Sequence, residues 1–298
     1  MNPSSGPIAI LGPTASGKSS LALHVARRVG GTVVNGDPYQ AIAGLEIGTG
    51  QPDQAEREAT PHAGYGVLPL SSRPNPADFG GLARGWLESV DNPVLVTGSG
   101  LYLRGIWDQL SDLPPVSAAQ VARVRRWHAV LGAPRLHRYL AAVDPARASQ
   151  LHPNDEARII RALGLHLATG AAPSQLLDAE RQGVPEGWRA LVVMPERERR
   201  RARIEARVAA QFEAGWPAEV ARLRAEGHEE DLRALRPLGY EALLEGGDPE
   251  LVRARIVQET QAFAKRQATW FRNQLEGAPA WDPDAEPVAR AFEKLGLP

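Results

Sequence analysis

The chain has 298 residues, 43% of them apolar, a net charge of −1 and no cysteine. That length allows one large domain or two, and the missing thiols exclude a disulfide framework, a cysteine nucleophile and a Cys-ligated zinc. No run reaches the ~18 uninterrupted apolar residues of a membrane span. Met1-Asn2-Pro3-Ser4-Ser5 lacks the basic-then-apolar order of a secretory signal. A soluble, cytoplasmic protein is expected.

Pro7-Ile8-Ala9-Ile10-Leu11 reads as a first strand, and Gly12-Pro13-Thr14-Ala15-Ser16-Gly17-Lys18-Ser19 follows it. This is the G-x-x-x-x-G-K-[ST] pattern in its required place, after a strand and before the helical pattern Ser19 to Val29. Its glycines let successive backbone N–H groups turn inward on an anion, and the helix start adds its positive end. Lys18 supplies a mobile charge, and the Ser19 hydroxyl suits Mg2+. The pattern predicts a phosphorylated ligand, as in nucleotide- and ATP-binding proteins, without saying what happens to it.

A second strand at 32–35 ends near Asp37, on the edge where doubly wound sheets place their ligands. Asp37 can be a metal-coordinating carboxylate, a base acting on a nucleophile, or a turn residue before Pro38. Further strands are expected at 66–70, 93–97 and 190–194, with helical patterns such as Ala77 to Val90 between them. Short apolar runs of this kind are typical of buried parallel strands. The alternation argues for an α/β fold, a P-loop doubly wound parallel sheet core. Thr97-Gly98-Ser99-Gly100 closes one strand with small residues, either to let a substrate approach the backbone or as a plain turn.

Between 111 and 184 the strand signal vanishes. Helical patterns run at 117–131, 135–142 and 155–169, and nine arginines stand against six acidic residues. We read 111–184 as an all-helical insertion, with 1–110 and 185–298 forming the catalytic core and its helical C-terminal part. Arg158 and Arg161 share a helix face, as a solvated pair or a contact to a phosphate backbone. Arg197, Arg199, Arg200, Arg201, Arg203 and Arg207 crowd one helix, where interleaved glutamates can pair with most of them. Ala264-Lys265-Arg266-Gln267-Ala268-Thr269-Trp270-Phe271-Arg272 mixes cations with core aromatics, and Lys265, Arg266 and Arg272 can line a groove for an anionic polymer. Lysine occurs only at 18, 265 and 294. Arginine forks suit phosphate, although a GC-rich genome gives the same bias.

Together these motifs resemble bacterial tRNA dimethylallyltransferases, the tRNA isopentenyltransferase or IPP transferase family. The resemblance rests on Gly12–Ser19, Asp37 with Gln40, Gly44 with Ile47-Gly48-Thr49, Pro61-His62 and Gly98-Ser99-Gly100-Leu101-Tyr102. It continues through Leu151-His152-Pro153-Asn154-Asp155 with Arg158, Arg161, Ala162 and Leu163, then Leu238-Gly239-Tyr240 and Ala264-Lys265-Arg266-Gln267. It implies dimethylallyl diphosphate as donor and, as acceptor, the adenosine 3′-adjacent to the anticodon of a tRNA. Asp37 is then the general base toward the exocyclic amine. Lys18, Thr14 and Arg207 complete the catalytic set, and the loop from Gly12 through Pro13, Thr14, Ala15, Ser16 and Gly17 to Lys18 and Ser19 holds the diphosphate with Mg2+ on Ser19. The target base leaves its stack and meets Asp37, Pro38, Tyr39, Gln40, Ser99 and Gly100. Arg158, Arg161, Lys265 and Arg266 contact the anticodon stem-loop, which the insertion grips. The chain departs from the family pattern at Pro38, Ile42, Gln51, Ala63, Thr97 and Gln261.

Two other readings follow from the residues. A P-loop small-molecule or nucleotide kinase would use Asp37 for Mg2+ or an acceptor hydroxyl, but with a more compact lid than this insertion. A tRNA-binding protein without transfer chemistry has the same spacing. A GTPase-type switch is not favoured, since lysines at 18, 265 and 294 allow no Asn-Lys-x-Asp signature. Without an extended apolar seam, a monomer is expected.

Overall fold

The computed structural model describes residues 6–110, 113–176 and 183–298. Residues 1–5, and residues 111–112 and 177–182 of the expected insertion, lie outside the described residues. Six strands, β1 (Ile8–Leu11), β2 (Val33–Asn35), β3 (His62–Ala63), β4 (Val94–Thr97), β5 (Arg189–Val193) and β6 (Ala280–Trp281), form one parallel sheet in the order β3-β2-β4-β1-β5-β6. Ile8, Ile10, Val94 and Val96 face helix Lys18–Val29 through Leu21 and Val25. Ala9, Leu11 and Leu95 face the opposite side, against Phe79 and Ala83 of helix Pro76–Glu88 and Leu103 and Ile106 of helix Gly100–Ile106. A sheet covered on both faces needs apolar residues at every strand position, which is why its strands read as unbroken runs.

Two edge strands differ from expectation. The run 66–70 is not a strand; β3 lies a few residues earlier, and only Leu68 makes an isolated bridge, with Ile42. Gly64 and Gly66 both have positive φ, Val67 is 56% exposed, and Pro69 has no N–H to offer a ladder. At the other edge, β6 is two residues long and flanked by Pro279 and Pro283, too short to leave a periodic signal.

Contacts divide the chain into two compact units, 1–108 with 182–298, and 109–181. The second unit has its own core, in which Val124, Leu136, Leu140, Ile159 and Leu163 pack together from helices Ala118–Leu131, Ala133–Val143 and Glu156–Thr169. Buried Asp144 fastens it, accepting from Arg147 N at 2.9 Å, Ser174 N at 2.6 Å and Ser174 Oγ at 2.9 Å.

In the first unit, helices Arg197–Glu213, Trp216–Ala225, Tyr240–Glu245 and Pro249–Gln274 build a further apolar cluster that includes Ile42 and Leu45. At its centre Glu219, 6% exposed, accepts from Ile47 N at 2.7 Å, Gly48 N at 3.2 Å and Tyr240 Oη at 2.7 Å. Gln211 Nε2 donates to the carbonyls of Ile47 and Gly48 at 2.8 and 2.9 Å. Two sequence motifs distant in the chain, around Gly48 and around Tyr240, are thus tied by one carboxylate, and this fixes the turn that follows Thr49. Glu219→Ala leaves three donors without their acceptor, the buried Tyr240 hydroxyl and the half-buried N–H groups of Ile47 and Gly48. A loss of about 2–4 kcal/mol is expected, read as a lower urea midpoint at unchanged slope. A midpoint equal to the parent's would remove Glu219 from the scaffold.

Candidate active site

The loop between β1 and helix Lys18–Val29 sits at the C-terminal edge of the sheet. Gly12 starts it with φ +150°, and a Cβ there would lie 2.5 Å from the Val193 carbonyl and 2.9 Å from Ser16 Oγ, so only glycine fits. Ala15 at φ +58° and Gly17 at φ +91° turn the chain again, and Ser16 N closes onto Pro13 O at 3.2 Å. Lys18 Nζ folds back to Pro13 O at 3.3 Å. Burial and the nearby Arg207 charge lower the Lys18 pKa to about 8, against an opposing pull from Asp37. The Ser19 hydroxyl has no protein partner and is open to solvent.

Asp37 follows β2. Buried Asn35 locks this strand end: its Nδ2 donates to the carbonyls of Asp37 at 2.9 Å and Gly64 at 2.8 Å, and its Oδ1 accepts from Asp37 N at 2.8 Å. Thr97, also buried, joins the neighbouring strand end by donating to Gly36 O at 2.7 Å and accepting from Ser99 N at 3.1 Å. The Asp37 carboxylate accepts from Tyr39 N at 3.0 Å. Burial raises its pKa above the ordinary carboxylate value, while that N–H and the charges of Lys18 and Arg207 pull the other way. Lys18, Asp37 and Arg207 therefore form one coupled cluster. Burial also lowers Arg207. Its Nη2 donates to Thr49 O at 3.1 Å, the same carbonyl that takes Gln40 Nε2 at 3.0 Å. On its far side Arg207 lines a cavity of about 750 Å³ with Ile47, Gly50, Gln51, Arg57 and Gln211.

The structure treats the residues expected to touch a polymer unevenly. Pro38 is buried, Tyr39 Oη donates to Leu235 O at 3.1 Å, and Gln40 spends both amide protons on Thr49 and Gly50. Ser99 and Gly100 open a helix at the β4 edge, where a Cβ on Gly100 would lie 2.1 Å from the Trp270 ring. Lys265 and Arg266 are exposed on helix Pro249–Gln274, with Arg266 over Phe263 at 5.7 Å. Arg158 is exposed but held by Asp155 at 2.6 Å, whereas Arg161 is exposed and has no partner among the described residues.

Several contributing residues escaped the sequence reading. Arg203 reaches the loop carbonyl of Ser16 at 3.4 Å and pairs with Asp284 at 2.6 Å. Gln267, quoted above only as part of a motif, joins the loop to the β4 turn. In the second unit, Arg123, Arg125, Arg126, Arg135 and Arg138 are all exposed, and residues 113–143 contain no Asp or Glu. Among the described residues none of the five has an ion-pair partner; Arg123 lies over Trp127 at 5.0 Å. The acid-free run was the available signal for that face.

No group of three or more His, Asp or Glu able to hold a metal occurs among the described residues. One free hydroxyl at a phosphate loop still fits Mg2+, which takes few protein ligands and completes its shell with substrate oxygens and water. No described helix is long and apolar enough to cross a membrane.

The model of the IPP transferase family matches residues 40–274, and that of isopentenyl transferases matches residues 7–63. The chain belongs to the IPP transferase family. It is 41% identical to a tRNA dimethylallyltransferase of Rhodospirillum centenum over 94% of this chain and 93% of that one. The match to the Halorhodospira halophila enzyme of the same name is 39% over 91% of each. Among solved structures, the tRNA isopentenylpyrophosphate transferase of Bacillus halodurans superposes with a TM-score of 0.68 at 28% identity, covering 98% of this chain and 95% of that one. A eukaryotic dimethylallyltransferase shares the fold at a TM-score of 0.73 and 22% identity, over 96% and 77%.

As a member of this family the protein is an enzyme, a prenyltransferase. Two of its departures from the family pattern meet in space: Gln51 Nε2 donates to Ile42 O at 2.8 Å, and Gln51 Oε1 accepts from Arg57 at 3.1 Å. A third, Gln261, bonds Glu205 at 3.3 Å on the surface. All three have hydrogen-bond partners within the protein.

Lys18 gives the site a pH signature. Below about 8 the empty enzyme already carries the charge. Above that value Lys18 is neutral, and a bound diphosphate favours its protonation, so binding takes up a proton. Donor affinity should fall as pH rises from about 8, by up to about tenfold per unit. Calorimetry at about pH 9 in buffers of different ionisation heat should show proton uptake that Lys18→Gln abolishes. Affinity independent of pH in this range would contradict the assignment.

Proposed function

We propose that this enzyme transfers a dimethylallyl group from dimethylallyl diphosphate to the exocyclic 6-amino group of the adenosine 3′-adjacent to the anticodon in tRNA. The observation that carries the reading is the cluster itself: a phosphate loop with Lys18, a half-buried carboxylate at Asp37 and the Arg207 guanidinium on Thr49 O, close enough for their charges to act on one another.

The adenine amine is a poor nucleophile, since its lone pair is delocalised into the ring. As it attacks the allylic carbon, a new N–C bond forms and the C–O bond to diphosphate breaks, its electron pair leaving on oxygen. The amine proton passes to an Asp37 oxygen. A carboxylate with raised proton affinity is better suited to that role than an exposed one. Loop N–H groups, Lys18 and Arg207 face the charge that develops on the departing diphosphate, with the Thr14 hydroxyl beside them. Ser19 would hold Mg2+ against the diphosphate oxygens, adding a further counter-charge there.

A kinase reading is not favoured, because the relatives throughout the chain carry prenyl-transfer names. Nucleoside mass analysis after mixing protein, unmodified tRNA and dimethylallyl diphosphate tests the proposal. A gain of one C5 unit on the adenosine next to the anticodon is expected; ATP turnover without a prenyl donor would overturn it. Asp37→Asn should lower turnover by about 10²–10⁴ fold with tRNA affinity nearly unchanged, and retained turnover would exclude the base.

We further propose that the helical insertion grips the tRNA backbone. Five exposed arginines without an ion-pair partner among the described residues, in a run 113–143 that holds no Asp or Glu, support this better than Arg158, which Asp155 already engages. Each phosphate contact steepens the salt dependence of binding by about 0.7–0.9 in log–log slope. Exchange of Arg123, Arg125, Arg126, Arg135 and Arg138 for Gln should flatten that slope by about two to four, with Arg158→Ala changing it by less than about one. An unchanged slope in the fivefold variant would return these arginines to plain solvation.

A further inference from the structure

One buried side chain touches both halves of the reaction geometry. Gln267, 8% exposed on helix Pro249–Gln274, accepts from Thr14 N at 2.9 Å and donates from Nε2 to Gly98 O at 2.9 Å. The first contact fixes the phosphate loop after β1, and the second fixes the small-residue turn after β4. The packing leaves no slack: a Cβ on Gly98 would lie 2.8 Å from Gln267 Nε2, 3.1 Å from Gly12 O and 3.5 Å from Lys18 Nζ. One turn along the same helix, Trp270 presses on Gly100, so this helix reads the β4 turn twice.

We propose that Gln267 is a positioning residue that sets the spacing between the diphosphate cradle and the turn where the acceptor base arrives. The inference rests on the prenyl-transfer reading above. Its chemistry is particular to a carboxamide. The loop offers an N–H and the turn offers a C=O, so the bridging group must accept at one end and donate at the other. An ionised carboxylate satisfies only the Thr14 end and sets its second oxygen against the Gly98 carbonyl; an apolar side chain satisfies neither. Because Gln267 occupies the Thr14 amide, the group Thr14 has left to offer a substrate is its hydroxyl, which has no partner among the described residues. A change in spacing far smaller than a bond length matters little for binding either substrate alone, but an ångström of drift between reacting groups costs about a hundredfold in rate.

Gln267→Leu and Gln267→Glu test the clamp, with melting temperature checking that each folds. For each variant, kcat and both KM values are measured by varying donor at saturating tRNA and tRNA at saturating donor, alongside calorimetric Kd for inorganic pyrophosphate and for tRNA. We expect Gln267→Leu to lose about 30–100-fold in kcat, with both Kd values within about threefold of the parent. Gln267→Glu, which keeps the Thr14 contact, should fall between. A folded Leu variant with kcat within about threefold of the parent would reduce Gln267 to passive packing. Loss of pyrophosphate affinity at unchanged kcat would equally overturn the clamp and leave Gln267 as a support for the loop alone. Should the Leu variant not fold, the Glu variant decides by the same kcat criterion. A parent without prenyl transfer sinks the functional reading and the clamp together, whereas equal transfer by parent and variant sinks the clamp alone.

Discussion

Two cations and one carboxylate share a desolvated crevice at the edge of the sheet, and the imbalance between them governs the site. Burial moves all three away from their ordinary states: Lys18 down to about 8, Arg207 down and Asp37 up. Charges held out of water are unfavourable unless compensated. The Lys18–Asp37 attraction compensates part, and among the described residues the Arg207 guanidinium bonds a backbone carbonyl, that of Thr49. An anion held by Lys18 and Arg207 would add the counter-charge the two cations share. A departing diphosphate has that charge and acquires more of it during the reaction, so the same imbalance that disfavours the empty site favours the transition state.

Holding such a cluster requires a scaffold that cannot relax around it. Asn35 and Thr97 weld two strand ends, while Glu219, Gln211 and Gln40 weld the segment carrying Thr49. Asn35, Thr97 and Glu219 are buried and Gln211 and Gln40 half-buried, and apart from the Tyr240 hydroxyl on Glu219 their contacts are directed at backbone, the kind of network that stays rigid when fully satisfied. The helical insertion follows a different logic. It has its own core and five exposed arginines without an ion-pair partner among the described residues, which suits a salt-sensitive grip on a polyanion rather than a precise pocket.

The phosphate loop was legible because its chemistry dictates its residues: glycines where φ must be positive, then Lys18 and Ser19. The central strands were legible because burial on both faces forbids polar interruptions. Edge strands were not, since a two-residue pairing such as β3 or β6 needs no pattern of its own. Among the arginines, the family resemblance picked out Arg207, but nothing in the sequence separated Arg203, turned toward the loop, from Arg201, paired with Glu198 on the surface. One helical turn decides that difference, and composition does not record it. Gln40 was expected to face a substrate, yet its amide serves Thr49 and Gly50. Gln267 was visible as a letter in a motif, but its partners, Thr14 and Gly98, lie 253 and 169 residues away, and only the fold brings them together.

The central claim is that one crevice grips the leaving diphosphate and places Asp37 beside the attacked carbon. A crystal structure with an unreactive thiolodiphosphate analogue of the donor addresses it directly. The account predicts diphosphate oxygens on the loop N–H groups and Lys18 Nζ at about 2.7–3.2 Å, with the Asp37 carboxylate about 5–7 Å from the allylic carbon, the span of one bonded amine. A diphosphate lodged in the cavity beside Arg57, or a carboxylate well beyond that span, would contradict it.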